Sequence, residues 1–212
     1  FFTESTQSKE KAEVLEKELS QIKFEVLKSQ INPHFMFNSL NVLSGLIDTD
    51  VSKAQEFIDE FSVIYRYVLE TIEKPVVTLS EELKFIRSYF FLQEMRYGNS
   101  LRLDVDIPST LLNYYLPPLS LQVVLENAIK HNSISESSPL KIDIYSENNR
   151  LMVRNTIQPK VSSGKSTRLG QNNMVKRYAM ISDEVPQFQL KTNHYMAELP
   201  LIKPETNESA DN

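Results

Sequence analysis

The first thirty residues carry apolar or small side chains at alternating spacings of three and four, with glutamate and lysine between them. The positions are Ala12, Leu15, Leu19, Ile22, Val26 and Ser29. This heptad spacing predicts a short two-stranded coiled coil over residues 1–30, a signalling helix that pairs two copies of the chain. A single amphipathic helix packed on its own domain is the alternative.

Two further apolar stripes predict a pair of helices after Pro33, because the residue before a proline avoids the α region. The first stripe runs over 35–47 and the second over 54–68, and the polar residues 48–52 between them favour helix caps. Two helices joined by a short turn form an antiparallel hairpin, and two hairpins form a four-helix bundle. We expect the hairpin to occupy residues 31–75 and to end at Pro75.

Helices and strands alternate beyond residue 75. Ser80 is the expected N-cap of a helix that runs to about Tyr97, and further helices are expected over 119–132 and about 171–181. Apolar alternation predicts strands at 101–107, 141–145, 151–153, 188–192 and 195–199. The fold class is therefore α+β, with a mixed-sheet α/β domain over 76–203 and a disordered tail over 204–212.

The composition narrows the possible functions. The chain has 212 residues, a net charge of −5, four glycines and no cysteine. Thiol nucleophiles, cysteine-ligated metals and the common glycine-rich phosphate loops are thereby excluded, and the acidic balance argues against direct nucleic-acid binding. The chain begins at Phe1 rather than Met, so we expect a piece of a longer protein.

A histidine follows the proline break at the start of the first hairpin helix. His34, Asn38 and Asn41 are spaced so that they share one helical face. A neutral imidazole nitrogen is nucleophilic and can accept a phosphoryl group near neutral pH, and an amide one turn away can orient the ring. The alternative is a capping or buried histidine hydrogen-bonded to Asn38.

A polar cluster lies within one and a half turns of the apolar helix 119–132. It consists of Glu126, Asn127, Lys130 and His131. Mg²⁺ prefers oxygen ligands and phosphates need a positive donor, so this cluster favours a site for magnesium and phosphate. A helix end whose polar residues face water is the alternative.

The two segments, in this order, resemble those of the LytS/YehU-type bacterial sensor histidine kinases. In that family a Gln-Ile-x-Pro-His-Phe-x-x-Asn-x-Leu-Asn string carries the phosphorylated histidine. This chain matches it at Gln30, Ile31, Pro33, His34, Phe35, Asn38, Leu40 and Asn41. Residues 126–131 resemble the ATP-site helix of the family, and strings at 66–67, 79–83 and 93–97 follow the same order. The resemblance covers about residues 20–202.

The resemblance implies a dimeric helical bundle followed by a GHKL-type (Bergerat) sandwich that binds ATP and Mg²⁺. It implies that His34 attacks the γ-phosphate, with Asn38 and Glu126 as further catalytic residues. Asn127 would ligate Mg²⁺ and Lys130 would approach the phosphates. His131 matches a family position too, and would contact phosphate or only pack.

The resemblance also implies partners. Such proteins act as homodimers and pass the phosphoryl group to an aspartate of a response regulator, often one with a LytTR DNA-binding domain. A membrane sensor region is expected upstream, which would make this chain the cytoplasmic portion of an inner- or plasma-membrane protein.

Two later boxes depart from the family pattern. The carboxylate that recognises the adenine amino group is replaced by Asn155, which can still accept that hydrogen bond. In the following glycine-rich box Gly170 and Asn173 are kept, whereas Arg168 replaces the first glycine. The arginine could supply charge to a phosphate or close the loop. We assign all four residues to the nucleotide site.

Two other functions stay open from the sequence. Asn155 and Arg168 would also suit a degenerate dimeric signalling module that has weak or no ATP binding. A GHKL ATPase of another kind, or a phosphatase-only partner, is the third possibility.

Overall fold

The computed structural model describes residues 33–71, 73–160 and 169–204, with the side chains of residues 33 and 34 left out. The predicted coiled coil at 1–30, the candidate Arg168 and nearly all of the predicted tail lie outside these residues. None of the described helices is long and apolar enough to cross a membrane.

Two helices open the described part of the chain, α1 (Pro33–Thr49) and α2 (Val51–Thr71). The joint between them is the single residue Asp50, shorter than the predicted turn at 48–52. The Asp50 carboxylate accepts a hydrogen bond from the Lys53 backbone N–H at 3.1 Å and so caps the start of α2. Contacts divide the chain into two compact units, 1–54 and 55–212.

The second unit contains a mixed five-stranded sheet. Its strands are β2 (Leu101–Asp106), β4 (Leu140–Glu147), β5 (Arg150–Thr156), β6 (Gln187–Leu190) and β7 (His194–Pro200). Their order is β2-β4-β5-β7-β6, with β2 and β4 parallel and all other neighbours antiparallel. Asn148 and Asn149 both have positive φ, which is the two-residue turn that the right-handed twist of a hairpin favours.

Three helices accompany the sheet, α3 (Leu79–Tyr97), α4 (Ser120–His131) and α5 (Leu169–Tyr178). A short antiparallel pair, β1 (Val77–Thr78) with β3 (Tyr115–Leu116), connects α3 to the segment before α4. Helix α4 contacts α3, α5 and β4. The α+β class predicted from the sequence is confirmed.

Ser80 is not the N-cap of α3, contrary to the prediction. Thr78 is the cap, because its hydroxyl accepts the Glu81 N–H at 3.2 Å while the Glu81 carboxylate accepts the Thr78 N–H at 2.8 Å. This reciprocal capping box requires Ser or Thr three residues before Glu or Gln. Thr78 and Glu81 have that spacing, and Ser80 does not have it with either of the two following glutamates.

The core lies between the helices and one face of the sheet. Leu140, Ile142 and Ile144 of β4 are buried on that face, whereas Asp143 and Arg154 form an ion pair on the opposite face. The largest fully buried side chains are Tyr178, Phe57, Phe85, Leu79, Ile86, Leu101, Leu116, Leu121, Leu125, Leu140, Ile142 and Ile144.

Candidate functional site

A cavity of about 540 Å³ opens between α4, α5 and the β5, β6 and β7 strands. Both polar and apolar side chains line it, as in many small-molecule sites. The lining residues are Asn127, Ala128, His131, Asn132, Asn155, Ile157, Pro159, Gln171, Asn172, Val175, Phe188, Leu190 and Tyr195.

The cavity brings together three of the predicted site residues. Asn127 and His131 reach it from α4, and Asn155 reaches it from β5. The two segments that carry these residues are far apart in sequence, and both were assigned to the nucleotide site from their motifs. They therefore line the same cavity.

Asn155 is 3% exposed and has one amide oxygen available at the cavity. Its Nδ2 donates to the Thr156 carbonyl oxygen at 2.7 Å, which fixes the plane of the amide. No described residue donates to its Oδ1. A buried acceptor of this kind favours a ligand that carries an N–H group.

The polar cluster of α4 divides between the cavity and the surface. Asn127 is half-buried at the cavity wall, whereas half-buried Glu126 and exposed Lys130 do not line it. Burial lowers the pKa of His131, and the nearby positive charges of Lys130 and Lys160 lower it further. His131 is thereby favoured in its neutral form at the cavity wall.

The C-terminal end of α4 is tied to the segment that follows β5. The Asn132 amide donates to the Ala128 carbonyl at 2.8 Å and accepts the Gln158 N–H at 2.5 Å. The Lys160 ammonium donates to the Ile129 and Lys130 carbonyls at 3.2 and 3.0 Å. A cation that binds the last carbonyl groups of a helix stabilises the helix, because the C-terminal end of the helix dipole is negative.

Sequence reasoning missed Asn132 and Lys160 as residues that shape the site. Asn132 was the last residue of the predicted helix 119–132, but its role depends on Gln158, which lies 26 residues away. No local pattern carries that information.

Helix α5 contributes different residues from those predicted. Gly170 and Asn173 do not line the cavity, whereas Gln171 does, and its Nε2 donates to the Tyr195 hydroxyl at 2.6 Å. A Cβ on Gly170 would meet Cγ1 of Val123 in α4 at 3.3 Å. The glycine therefore serves close packing of α5 on α4, and Asn173 is exposed.

The apolar side of the cavity was not predicted as part of the site. Ile157, Val175, Phe188 and Leu190 form it. Alternation in the sequence predicted the strand that carries Phe188 and Leu190, but it could not show that this edge strand lies beside the cavity. Apolar and polar side chains around one cavity suit a partly apolar ligand.

The segment that carries His34 lies in the other compact unit. His34 is the second residue of α1, so its backbone lies in the first turn of the helix, as predicted. Asn38 is half-buried one turn later and Asn41 is exposed. The helical spacing of the three residues is therefore confirmed.

The described residues contain no group of three His, Asp or Glu side chains that could hold a metal ion by themselves. This is compatible with magnesium, which commonly keeps several waters and is held by one or two protein groups together with substrate phosphates. Asn127, at the cavity wall, carries a side-chain oxygen of the kind that magnesium prefers.

Comparisons with known proteins agree with the motif assignment. The family model described as "Histidine kinase" matches residues 22–101. The LytS sensor protein of Bacillus subtilis is 35% identical over 120 residues, which are 57% of this chain and 20% of that protein. The sensor histidine kinase/phosphatase LytS of Staphylococcus aureus is 32% identical over 133 residues, or 63% and 23% of the two chains.

The chain spans about a fifth to a third of the length of the curated relatives it matches. Among solved structures, the catalytic domain of the histidine kinase ThkA is 14% identical, covering 61% of this chain and 97% of that chain, with a TM-score of 0.42. The histidine kinase domain of the Escherichia coli osmosensor EnvZ is 11% identical, with coverage of 65% and 94% and a TM-score of 0.38. In its family match, its curated relatives and its two motif segments, the chain is similar to the LytS-type sensor histidine kinases.

Proposed function

We propose that this chain is the cytoplasmic kinase portion of a two-component sensor, which transfers the γ-phosphoryl group of Mg-ATP to His34 and then to an aspartate of a response regulator. The carrying observation is that Asn127 and Asn155, from two separate motif segments, line one cavity. The phosphoacceptor string beside Pro33 is complete in the same chain.

In this proposal the adenine ring lies in the cavity. The Asn155 Oδ1 accepts a hydrogen bond from the adenine amino group, and the apolar wall that includes Ile157 and Phe188 contacts the ring. An amide suffices because the required group is an acceptor, and a neutral acceptor avoids burying a charge.

The phosphates extend from the cavity past α4. Asn127 supplies an oxygen to Mg²⁺, with Glu126 assisting, and Lys130 and Arg168 supply positive charge to the phosphates. Gly170 acts by letting α5 approach α4 closely, and Asn173 follows it at the start of the same helix. His131, favoured in its neutral form, contributes a ring nitrogen at the wall.

The transfer step uses His34 as the nucleophile. A neutral imidazole nitrogen forms a bond to the γ-phosphorus while the bond between that phosphorus and the bridging oxygen of ADP breaks, and ADP leaves. Asn38, one turn along α1, orients the imidazole. The phosphoryl group then passes from nitrogen to a carboxylate oxygen of the regulator.

A homodimer fits the surface of α1 and α2. Large apolar side chains are exposed on both helices, including Leu40 at 51%, Ile47 at 56% and Ile58 at 47%. Exposed apolar side chains on adjacent helices are typical of a surface that is buried by another copy. We extend the proposal to an upstream membrane sensor and to a regulator of the LytTR type on the basis of the family alone.

Incubation of the chain with radiolabelled Mg-ATP tests the proposal. Label is expected on the wild type and should be lost in His34→Ala and Asn127→Ala. His194→Ala and Asn113→Ala are the matched controls, because neither residue lines the cavity or lies in the phosphoacceptor string. Equal labelling of the His34→Ala variant would contradict the assignment.

The degenerate signalling module is the second candidate, and Asn155 is the observation that favours it, since the family has a carboxylate there. A titration with a fluorescent ATP analogue separates the two. Saturable binding that Asn127→Ala abolishes supports the kinase, and no binding at millimolar concentrations supports the degenerate module.

A further inference from the structure

A carboxylate is completely buried on α3, outside the cavity. Glu82 is 0% exposed. Its Oε1 accepts the Leu121 N–H at 2.9 Å, and its Oε2 accepts the Leu119 N–H at 3.0 Å and the Tyr67 hydroxyl at 2.5 Å. All three partners are donors, so both oxygens act as acceptors, as in an ionised carboxylate.

Two of these bonds cap the start of α4. Leu119 is the N-cap residue, with φ 65° and ψ 13°, and an apolar side chain cannot cap the helix. The first N–H groups of a helix have no partner within it and carry its positive dipole end. Glu82 satisfies two of them from a different helix, and it stabilises an uncommon left-handed backbone at Leu119.

The third bond joins this cap to α2. Tyr67 is half-buried, and its ring stacks on Phe85 of α3, with centroids 4.5 Å apart and planes at 22°. The stacking places the Tyr67 hydroxyl against Glu82. A continuous path of contacts therefore runs from α2 through Glu82 to the first turn of α4.

Helix α5 reaches the same point from the other side. The Arg177 guanidinium donates to the Pro118 carbonyl at 2.9 Å, just before the cap residue of α4. Its positive charge also favours the ionised form of Glu82 and so acts to lower the pKa of that carboxyl. The start of α4 is thus held jointly by α2, α3 and α5, and both α4 and α5 line the cavity.

We infer that Glu82 is a positioning residue that couples α2, the helix after the phosphoacceptor helix, to the cavity helix α4 through Tyr67, Leu119 and Leu121. The link between the two helices rests on geometry alone. Its use in phosphoryl transfer rests on the proposed function, since a displacement of α2 would then move Asn127 relative to bound nucleotide.

A purely local capping role makes a different prediction from coupling. If Glu82 only caps α4, both capping bonds remain in Tyr67→Phe, and exchange in α4 should change no more than exchange in the rest of the unit. If it couples α2 to α4, the same change loosens α4 selectively, because the ring and its stacking on Phe85 are retained in Tyr67→Phe and one hydrogen bond alone is lost.

Residue-resolved amide hydrogen exchange on the full chain without nucleotide tests the inference. In Tyr67→Phe, we expect the exchange rates of amides 121–127 of α4 to rise over wild type by at least about fivefold more than those of amides 151–154 of β5. Local opening of α4 can occur without global unfolding of the unit. Glu82→Gln should give the same pattern, because a Gln side chain has one acceptor oxygen in place of two. Tyr65→Phe is the matched control, since Tyr65 lies on the same helix and is also half-buried.

Equal acceleration in α4 and β5, or no acceleration in either, would overturn the inference, as would the same α4 pattern in Tyr65→Phe. The outcome of this experiment can be distinguished from the outcome of the test of the proposed function. Coupled exchange in a chain that never labels with Mg-ATP contradicts the kinase proposal and leaves this inference standing. Labelled His34 with unaffected α4 exchange overturns this inference alone.

Discussion

The Asn132 side-chain oxygen accepts the backbone N–H of Gln158 at 2.5 Å, while its amide nitrogen donates to the Ala128 carbonyl. One buried amide thus ends α4 and holds the segment that leads from β5 toward residue 161. His131 and Pro159, the neighbours of these two residues, both line the cavity. The shape of the site therefore depends on a residue whose main partners are backbone groups.

Asn132→Ala should destabilise the chain and weaken nucleotide binding together. Two hydrogen bonds are lost and buried backbone groups are left without partners, which costs about 1–3 kcal/mol of unfolding free energy. Urea denaturation and a fluorescent-nucleotide titration measure the two effects. Asn132→Asp keeps the acceptor for the Gln158 N–H, so we expect a smaller loss of stability and affinity than in Asn132→Ala. Unchanged nucleotide affinity in Asn132→Ala would disprove the link between Asn132 and the cavity.

Asn155→Asp should destabilise the ligand-free chain, although it restores the carboxylate of the family pattern. Asn155 is buried and its Nδ2 donates to the Thr156 carbonyl, a bond that a carboxylate cannot make. We expect a loss of about 1–3 kcal/mol of unfolding free energy. Thermal denaturation with and without Mg-ADP checks this, and a stabilised ligand-free variant would contradict it. Asn155→Leu, which lacks any acceptor, should lose nucleotide binding.

The pH dependence of stability should report on His131. Its pKa is lowered by burial and by the nearby Lys130 and Lys160, so the unfolded chain binds this proton more readily than the folded chain. The stability that this group contributes is present above its ordinary pKa of 6.5 and is lost as the pH falls below that value. NMR titration of the imidazole should show the lowered pKa, and Lys130→Gln should raise it toward 6.5. A pKa above 6.5 would disprove the burial argument.

Glu82 should give a pH effect with the opposite sign. Burial raises the pKa of its carboxyl above 4.5, and this outweighs the hydrogen bonds and the Arg177 charge that lower it. As the pH falls through the folded pKa to 4.5, wild type should gain stability relative to Glu82→Gln, with no further change at lower pH. Urea denaturation of both proteins from pH 7 to pH 4 measures this difference, and a relative loss for wild type would show that the hydrogen bonds dominate.

The parts of the fold that follow local rules were predictable from the sequence. The apolar alternation of 101–107 predicted β2, because the two faces of a strand depend on neighbouring residues. Thr78 was missed as a cap because Ser80 satisfies a looser pattern. The three-residue spacing between Thr78 and Glu81 identifies Thr78 as the cap, and it places apolar Leu79 at the first position of the helix.

The site was predictable only where motif segments carry it. Asn127, His131 and Asn155 were predicted and line the cavity, whereas Gln171 and Tyr195 were not predicted and form a hydrogen-bonded pair at its wall. Glu82 resembled an ordinary first-turn acid of a helix in the sequence. Its burial depends on Tyr67 and on the start of α4, which are 15 and 37 residues away. Long-range packing of this kind leaves no periodic signal along the chain.

Localisation of the phosphoryl group by tandem mass spectrometry tests the kinase proposal most directly. After incubation with Mg-ATP at neutral pH, we predict one acid-labile, alkali-stable phosphate on the peptide that contains His34, absent in Asn127→Ala and present in Asn113→Ala. A phosphate on another residue would contradict the assignment of His34 as the phosphoacceptor. So would the absence of phosphate from a dimeric chain that binds Mg-ADP.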